Sequence, residues 1–466
     1  MQRMARACIC LATFLVAGCS LTPDYERPEL DVPDGWVQPA PAGESIANLP
    51  WWELFRDDAL RTHIETSLAE NKDLAASLAR IQEAREAVTI TRADQLPLLD
   101  VFTGAGRGRP SRVLVPGAAT RDNFQVGAGL SFEIDLWRKL ARATEASRAD
   151  LLSTEAAHRN VTISLVAEVA SSYFLLGDVD ARLTIAEHTA ESRRGSLEII
   201  RARFEKGTIP ELDVNQAEIE LAIAEAAVAS FERAVARTEH ALRILMGRNP
   251  GPVPRGLSLE EQALPPEVPA GLPSQLLQRR PDVVAAEERL AAETARIGVA
   301  EALRYPSFTL TGSLGFASDE LSELNSGEAK AWNAAAGIFQ PLFNSGKLKA
   351  EAQAQRARTE QVLKGYEATL QQAFREVEDA LVSVRTFRAE HAARRRHVTA
   401  ARHAGRLSRA RYDGGVVDYL EVLDTERTLF NSELDESATR QQALSAVVQL
   451  YKALGGGWTP PAPPVP

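Results

Sequence analysis

Three histidines, His391, His397 and His403, recur every six residues near the C-terminal end, and imidazoles in a regular pattern invite a search for a metal site. On a helix that spacing spreads them around the circumference and stacks none of them, so it argues against shared coordination. Glu287 and Glu288 are adjacent and not face to face, which suits solvated surface better than an acid and base pair. Past the first residues the only methionine is Met246, which leaves no run of thioethers of the kind one would look for in a path for a soft metal such as copper. The glycines follow no phosphate-loop spacing. No catalytic residue, metal or cofactor is expected, and an enzyme is the remotest class.

One residue does carry chemistry. Cys19 ends "LVAGC", after Arg3, Arg6 and the apolar run "ACICLATFLVA", which is too short to cross a bilayer as a helix. Small residues directly before a cysteine form a lipobox, where export machinery attaches a diacylglyceryl group to the thiol and cleaves before it. The plainer alternative is an ordinary signal peptide with an incidental cysteine. Cys8 and Cys10 leave with residues 1–18, so the mature chain keeps one acylated cysteine and forms no disulfide. Ser20 in place of aspartate favours the outer membrane of a Gram-negative cell, and several acyl chains on one residue anchor firmly.

The elements that hold such a chain are unlike a globular core. Aromatics make up 6% of the 466 residues while alanine is abundant, which suits long helices packed through small side chains. The net charge of -10, with nothing that resembles a basic stripe, argues against nucleic acid. The segment "RFEKGTIPELDVNQAEIELA" from Arg203 returns as "RYDGGVVDYLEVLDTERTLF" from Arg411. Gly207 and Gly415, Leu212 and Leu420, Val214 and Val422, and Glu218 and Glu426 all stand 208 residues apart. Upstream matches, such as Thr103 with Thr311 and Lys139 with Lys347, keep that offset within one residue, so the whole chain is an internal twofold repeat. The first repeat is expected over 51–250, the second over 273–457, with a lipidated extension (19–50), a proline-rich linker (251–272) and a proline-rich tail (458–466).

Each repeat opens with helix and then changes period. In "NFQVGAGLSFEIDL" Phe124, Val126, Ala128, Leu130, Phe132, Ile134 and Leu136 alternate with Asn123, Gln125, Gly127, Gly129, Ser131, Glu133 and Asp135. A weaker, glycine-rich partner lies near Val101 to Arg107. "SFTLTGSLGF" repeats the alternation, and "AWNAAAGIFQPLF" supplies a poorer fourth strand, so strands are expected at about 98–136 and 306–343. Alternation alone also fits a soluble hairpin with one wet face. Length, export signal and lipid anchor favour a membrane barrel, and since a four-stranded sheet has open edges, the barrel must be shared between chains. Long helices follow, at about 138–206, 210–247, 346–412 and 416–454; the first would reach on the order of 100 Å. After Pro210 a heptad seam runs through Val214, Leu221, Val228, Val235 and Leu242, with Ala217, Ala224, Phe231, Thr238 and Leu245 three residues on. The seam through Leu423, Phe430, Ser437, Leu444 and Tyr451 is more polar. The duplicated segment is then the turn at the far end of each helical hairpin, where Gly207 or Gly415 lets the chain reverse.

With these parts the chain resembles a TolC-type outer-membrane factor, of the lipoprotein (NodT or OprM) branch that serves RND efflux pumps. The likeness covers essentially the whole mature chain, through "CSLTPDYERP", "WWELFRDDALRTHIETSLAENKDLAASLARIQEARE", "RRPDVVAAEERLAAETARIGVAEALRYPSFTLTGSLG", "RYDGGVVDYLEVLDTERTLF" and "LYKALGGGW". It implies a mainly α fold with a homotrimeric, twelve-stranded β-barrel to which each chain gives four strands, and helical hairpins forming a periplasmic tunnel. It further implies an efflux duct partnered by a periplasmic adaptor (membrane fusion) protein, an inner-membrane RND pump and outer-membrane lipid. Matching "YLEVLDTER" places a hydrophobic constriction on Leu420 and an acidic ring on Asp424, with Arg427 as its partner; Leu212 and Gln216 are the first-repeat equivalents, where the acid is missing. Leu420 and Asp424 share a helix face, and Asp424 and Arg427 stand at i, i+3. Read from the residues alone, Asp424 equally suits the N-terminal region of a helix and Arg427 a solvated pair. The turn residues Gly207, Thr208, Ile209, Gly415, Val416 and Val417 resemble tips that touch the adaptor, although the same residues could pack against the neighbouring hairpin. A duct for type I protein secretion is the nearest rival; a pore-less structural lipoprotein is the rival of another class.

Overall fold

The computed structural model describes residues 24–38, 56–264, 270–271 and 273–456. Cys19 and the export signal lie outside the described residues. The first repeat runs α1 (Asp58–Glu70), α2 (Lys72–Ala93), β1 (Leu98–Gly108), β2 (Arg121–Ile134), α3 (Lys139–Glu205) and α4 (Glu211–Leu245). After a single helical turn, Leu276–Arg279, the second runs α5 (Pro281–Ala302), β3 (Ser307–Ser318), β4 (Lys330–Phe339), α6 (Lys347–Asp413) and α7 (Tyr419–Ala453). Helices α3 and α6 each hold 67 residues, and α4 and α7 each hold 35, so the duplication survives in helix length. Proline-free runs let them extend; glycines in the left-handed region end them. Gly207, Gly247, Gly415 and Gly455 have φ of 71°, 70°, 70° and 72°.

β2 stops at Ile134, short of Leu136, because Asp135 turns the chain: its carboxylate accepts from the Leu140 and Ala141 amides (3.1 and 2.7 Å) and caps α3. The four strands form one antiparallel sheet in the order β1-β2-β3-β4. Register carries the apolar face of β2 across its neighbours. Leu130 stands opposite Leu99, Ala128 opposite both Val101 and Leu314, Phe132 opposite Leu310, and on β3 and β4 Leu314 opposite Trp332 and Phe308 opposite Ile338. The other face is largely polar or small, with Asp100, Gln125, Ser131, Thr309, Thr311 and Asn333, and carries Leu98, Phe102 and Phe339 as its large apolar members. On it Gly127 faces Gly315; a Cβ at Gly127 would lie 2.8 Å from both the Phe102 ring and the Leu314 carbonyl oxygen. Among the described residues the outer edges of β1 and β4 have no partner strand.

Contacts divide the chain into two units. The first, Arg80–Glu155 and Ala285–Glu367 with the N-terminal segment to Leu30, holds the sheet and the helix portions that flank it. Its helices approach through Ala146, Ala149, Ala285, Ala292, Ala295 and Ala352, all buried, which accounts for the alanine-rich composition. Here the expectation for Glu287 fails: it is buried, and the Arg27 guanidinium grips it at 2.6 and 2.8 Å. Helix α5 presents that position to the N-terminal segment and not to water. Burial, then the charge of Glu287, pushes the half-buried Glu288 carboxyl up.

The second unit, Asp31–Ala79, Ala156–Val284 and Ala368–Pro466, centres on Leu60, Ile64, Val169, Phe174, Val283 and Leu444. The α4 seam residues are buried or half-buried. The more polar α7 seam is buried at all five positions, and Ser437 is tolerated because its hydroxyl donates to Asp178 (2.6 Å). The proline-rich connection between repeats is no loose tether over its described part. Arg255 holds Asp180 at 2.9 and 3.0 Å, the Leu257 amide and Gln262 side chain donate to Asp57 (3.1 and 2.6 Å), and Val253 and Leu259 are buried.

Candidate functional site

The two duplicated turns close in the same way. After α3 the Gly207 amide donates to the Phe204 carbonyl (2.8 Å) and the Thr208 amide to the Arg203 carbonyl (3.1 Å); after α6 Gly415 donates to Tyr412 and Val416 to Arg411 (both 2.9 Å). This paired pattern satisfies the last helical carbonyls and requires φ above zero at the glycine. A Cβ at either glycine would meet open space, so backbone conformation alone selects glycine there. Both turns rest on one cluster: Leu197 and Ile200 of α3, Ala217 and Leu221 of α4, and Tyr419, Val422 and Leu423 of α7, with Ile209, Val214 and Tyr412 packed on it. Ile209 therefore faces inward. Val416 is 69% exposed, Val417 is half-buried, and Gly207, Thr208 and Gly415 are exposed.

The cluster leaves an outward stripe on each following helix. On α7 it holds Leu420, 56% exposed, with Asp424 and Arg427, also exposed. On α4 Leu212 is 63% exposed and Gln216 half-buried, and the stripe continues through exposed Ile219 and Ile223. Leu420 and Asp424 thus share a face, as their spacing indicates. The Asp424 and Arg427 pair does not form: Arg427 Nε reaches across to Glu220 of α4, and among the described residues Asp424 makes no ion pair. Glu220 is buried, so its charge attracts a cation far more strongly than a solvated carboxylate does.

Behind the stripe lies a charge network that sequence reasoning missed. The Arg193 guanidinium, itself buried, meets the Glu220 carboxylate at 3.0 Å, donates to the Glu220 carbonyl (2.6 Å), and sits 5.3 Å from the Phe430 ring centroid. Burial lowers its pKa. Arg409 links Glu426 (3.3 Å) to the Ser196 hydroxyl (2.8 Å). Burial pushes the Glu426 carboxyl up despite Arg409 and Arg193, and burial lifts the Tyr419 hydroxyl to about 12. One signal was available: Glu220 falls between Ala217 and Ala224 and beside Leu221, on the apolar seam itself.

The histidines singled out by their spacing make local contacts. His391 is buried with Nε2 2.7 Å from Glu436, and His403 contacts Arg406. Among the described residues no group of three histidines, cysteines or carboxylates could hold a metal ion. Helix α6 does carry a basic stretch, eight arginines from Arg388 to Arg411 against Glu390 alone, contrary to the expectation of none. Acids of α7 answer several of them: Arg394 meets Asp435, Arg402 meets Glu433 and Arg411 meets Glu421.

Comparison with known proteins places this arrangement. The family model described as outer membrane efflux protein matches residues 63–248 and again 272–456, one match per repeat. The cation efflux system protein CusC of Escherichia coli O6:H1 is 35% identical over 97% of this chain and 98% of its own length. The toluene efflux pump outer membrane protein TtgI of Pseudomonas putida is 36% identical over 96% and 97%. The crystal structure of the open state of the Neisseria gonorrhoeae MtrE outer membrane channel, 29% identical, superposes with a TM-score of 0.85 over 94% of this chain and 98% of that one. The chain belongs to the outer membrane efflux protein family.

Proposed function

We propose that three copies of this chain form the outer-membrane duct of a tripartite RND-type efflux pump, a passive exit for drugs or other small molecules. The observation that carries this reading is the sheet: an apolar face continuous in register over four strands, a largely polar opposite face, and two edges without a partner strand among the described residues. Open edges are not tolerated in hydrocarbon, and twelve strands from three chains close them into a barrel with a wet lumen. Energy comes from an inner-membrane pump joined through a periplasmic adaptor. The names of the relatives, a cation efflux protein, a toluene efflux protein and an outer membrane channel with an open state, agree with a duct that needs little selectivity of its own.

In this reading the exposed stripe at the second turn is the periplasmic gate. Leu420 from each copy makes an apolar constriction that resists wetting, and Asp424 a ring of carboxylates that favours cations. That Asp424 has no ion-pair partner among the described residues supports this reading, and Leu212 and Gln216 line the same level from the first repeat. Val416 and Val417, with the turn at Gly207, Thr208 and Gly415, dock the adaptor; Ile209 supports them from below. Cys19 is acylated, as in the NodT or OprM branch, and holds the N-terminus at the membrane.

Single-channel recording in planar bilayers tests the duct and the gate together. A small wild-type conductance that rises several-fold in Leu420→Ala with Asp424→Ala is the expected result. Inserted protein that conducts in neither form would remove the duct reading.

A further inference from the structure

Ion pairs cross each antiparallel helix pair at heptad intervals back from the turn. In the first pair Arg201 meets Glu218 and, one heptad on, Arg194 meets Glu225 (3.0 Å). In the second pair the residues 208 positions later repeat this: Arg409 with Glu426 (3.3 Å) and Arg402 with Glu433 (2.8 Å). The third level breaks the pattern. Arg395 and Arg440 occupy it in the second pair, where both line one groove, while Glu187 and Glu232 occupy it in the first. Arg440 is relieved by the Leu259 and Gln262 carbonyls (2.7 and 3.2 Å). Glu187 and Glu232 are exposed, and among the described residues neither has an ion pair. Two carboxylates on one level of a helix pair repel unless a cation lies between them.

The repeat indicates where that cation comes from. Within the chain, the α3 face with Thr184, His188 and Ser192 borders a groove whose other wall includes Arg395, Arg402 and Arg440. In a closed ring of repeats, each junction inside a chain has a counterpart between chains, made by the same positions shifted by 208. His188 becomes Arg396, and Arg395 and Arg440 become Glu187 and Glu232. Arg396 is exposed and, among the described residues, makes no ion pair or hydrogen bond. Inside the chain this level sets an imidazole against two arginines; between chains it sets an arginine against two glutamates.

We propose that Arg396 of one copy pairs with Glu187 and Glu232 of the next. The proposal rests on the three-copy reading above and deepens it. Because the two junctions are nearly equivalent in backbone, charge is what distinguishes them: this level rewards the second hairpin for meeting the first hairpin of another copy, and a head-to-tail contact of that kind closes into a ring.

Cross-linking of the full chain in mild detergent tests it, with Arg396→Cys and Glu187→Cys combined and a short bismaleimide as the linker. A ladder to dimer and trimer is expected in the double variant, and neither band in either single variant or in the parent with its native cysteines. A double variant that is trimeric by native mass yet gives no ladder overturns the proposal alone. A parent that is monomeric by native mass overturns the three-copy reading and this pairing with it. As a second readout, Arg396→Glu should lower the temperature at which the trimer dissociates, and adding Glu187→Arg should restore it; a loss that the second change leaves in place counts against the pairing.

Discussion

Glu220 is a carboxylate with 2% of its surface exposed, served by Arg193 from α3 and Arg427 from α7. Removing its charge strands Arg193 in a site it cannot leave. Glu220→Gln should therefore cost about 3–5 kcal/mol, against less than about 1 kcal/mol for Glu225→Gln at the exposed Arg194 pair. Urea unfolding of both variants checks this, and equal losses would mean that Glu220 is solvated in solution. Glu426 gives the same network a pH dependence. Burial raises its folded-state pKa, so its contribution is complete below the unfolded value and is lost as pH rises through the folded one. The tip should loosen as pH climbs above the ordinary glutamate value of about 4.3, and Glu426→Gln should flatten that limb of the thermal stability curve. Superimposable pH profiles for the two proteins would refute it. Beforehand only the place of Glu220 on the apolar seam pointed to this network; its partners were not legible. Leu420 and Asp424 stand one turn apart and declare a shared face, whereas Arg193 and Glu220 lie on different helices and meet only through the register of the hairpin.

At the level of elements, legibility followed how unlike the two faces of each segment are. β2 announces itself because every second residue is apolar; β1 and β4, rich in glycine and alanine, are weak in sequence and form because β2 and β3 offer them edges. Register is not written in any strand alone, yet it turns the alternation of β2 into a continuous face. Leu130→Arg at that face should cost roughly 2–4 kcal/mol near mid-bilayer and block stable insertion, while Ser131→Arg, one residue on, should be tolerated on the polar face. Carbonate extraction of membranes distinguishes them, and equal retention would exclude a lipid-facing β2. The proline-rich linker shows what composition leaves out. Asp57 caps α1 and also accepts from Tyr173 (2.8 Å), Gln262 and the Leu257 amide, contacts that span up to 205 residues. Burial alone would raise the Asp57 carboxyl; those donors hold it below its usual range. Asp57→Ala removes a cap worth about 1 kcal/mol and leaves buried donors unmet at about 1–3 kcal/mol each. Proteolysis within residues 255–262 should become fast in that variant, and unchanged resistance would show that the segment is held by Val253 and Leu259 instead.

For the whole molecule, duplication supplies two nearly identical hairpins and divergence at a few positions gives them different work. The backbone of the turns, the helix lengths and the terminal glycines are conserved between repeats to the residue, while the outward stripe keeps only its leucine: Leu212, Gln216, Ile219 and Ile223 in α4 stand where α7 has Leu420, Asp424, Arg427 and Asn431. Open sheet edges demand closure but set no copy number; three enters through the family. In the proposed gate the two stripes would alternate around the axis, giving six leucines at one level and only three carboxylates at the next. An apolar ring of doubled density would set a high barrier to wetting, and a half-filled acidic ring a moderate cation preference. The two should separate in a salt gradient. Asp424→Asn should move the reversal potential toward zero, and Gln216→Asp, which completes the acidic level, should move it further to the cation side. Leu420→Ala should raise conductance and leave the potential nearly unchanged. If neither charge variant shifts the reversal potential, selection lies elsewhere along the path, and the polar sheet face with Asp100 and Glu133 becomes the place to look.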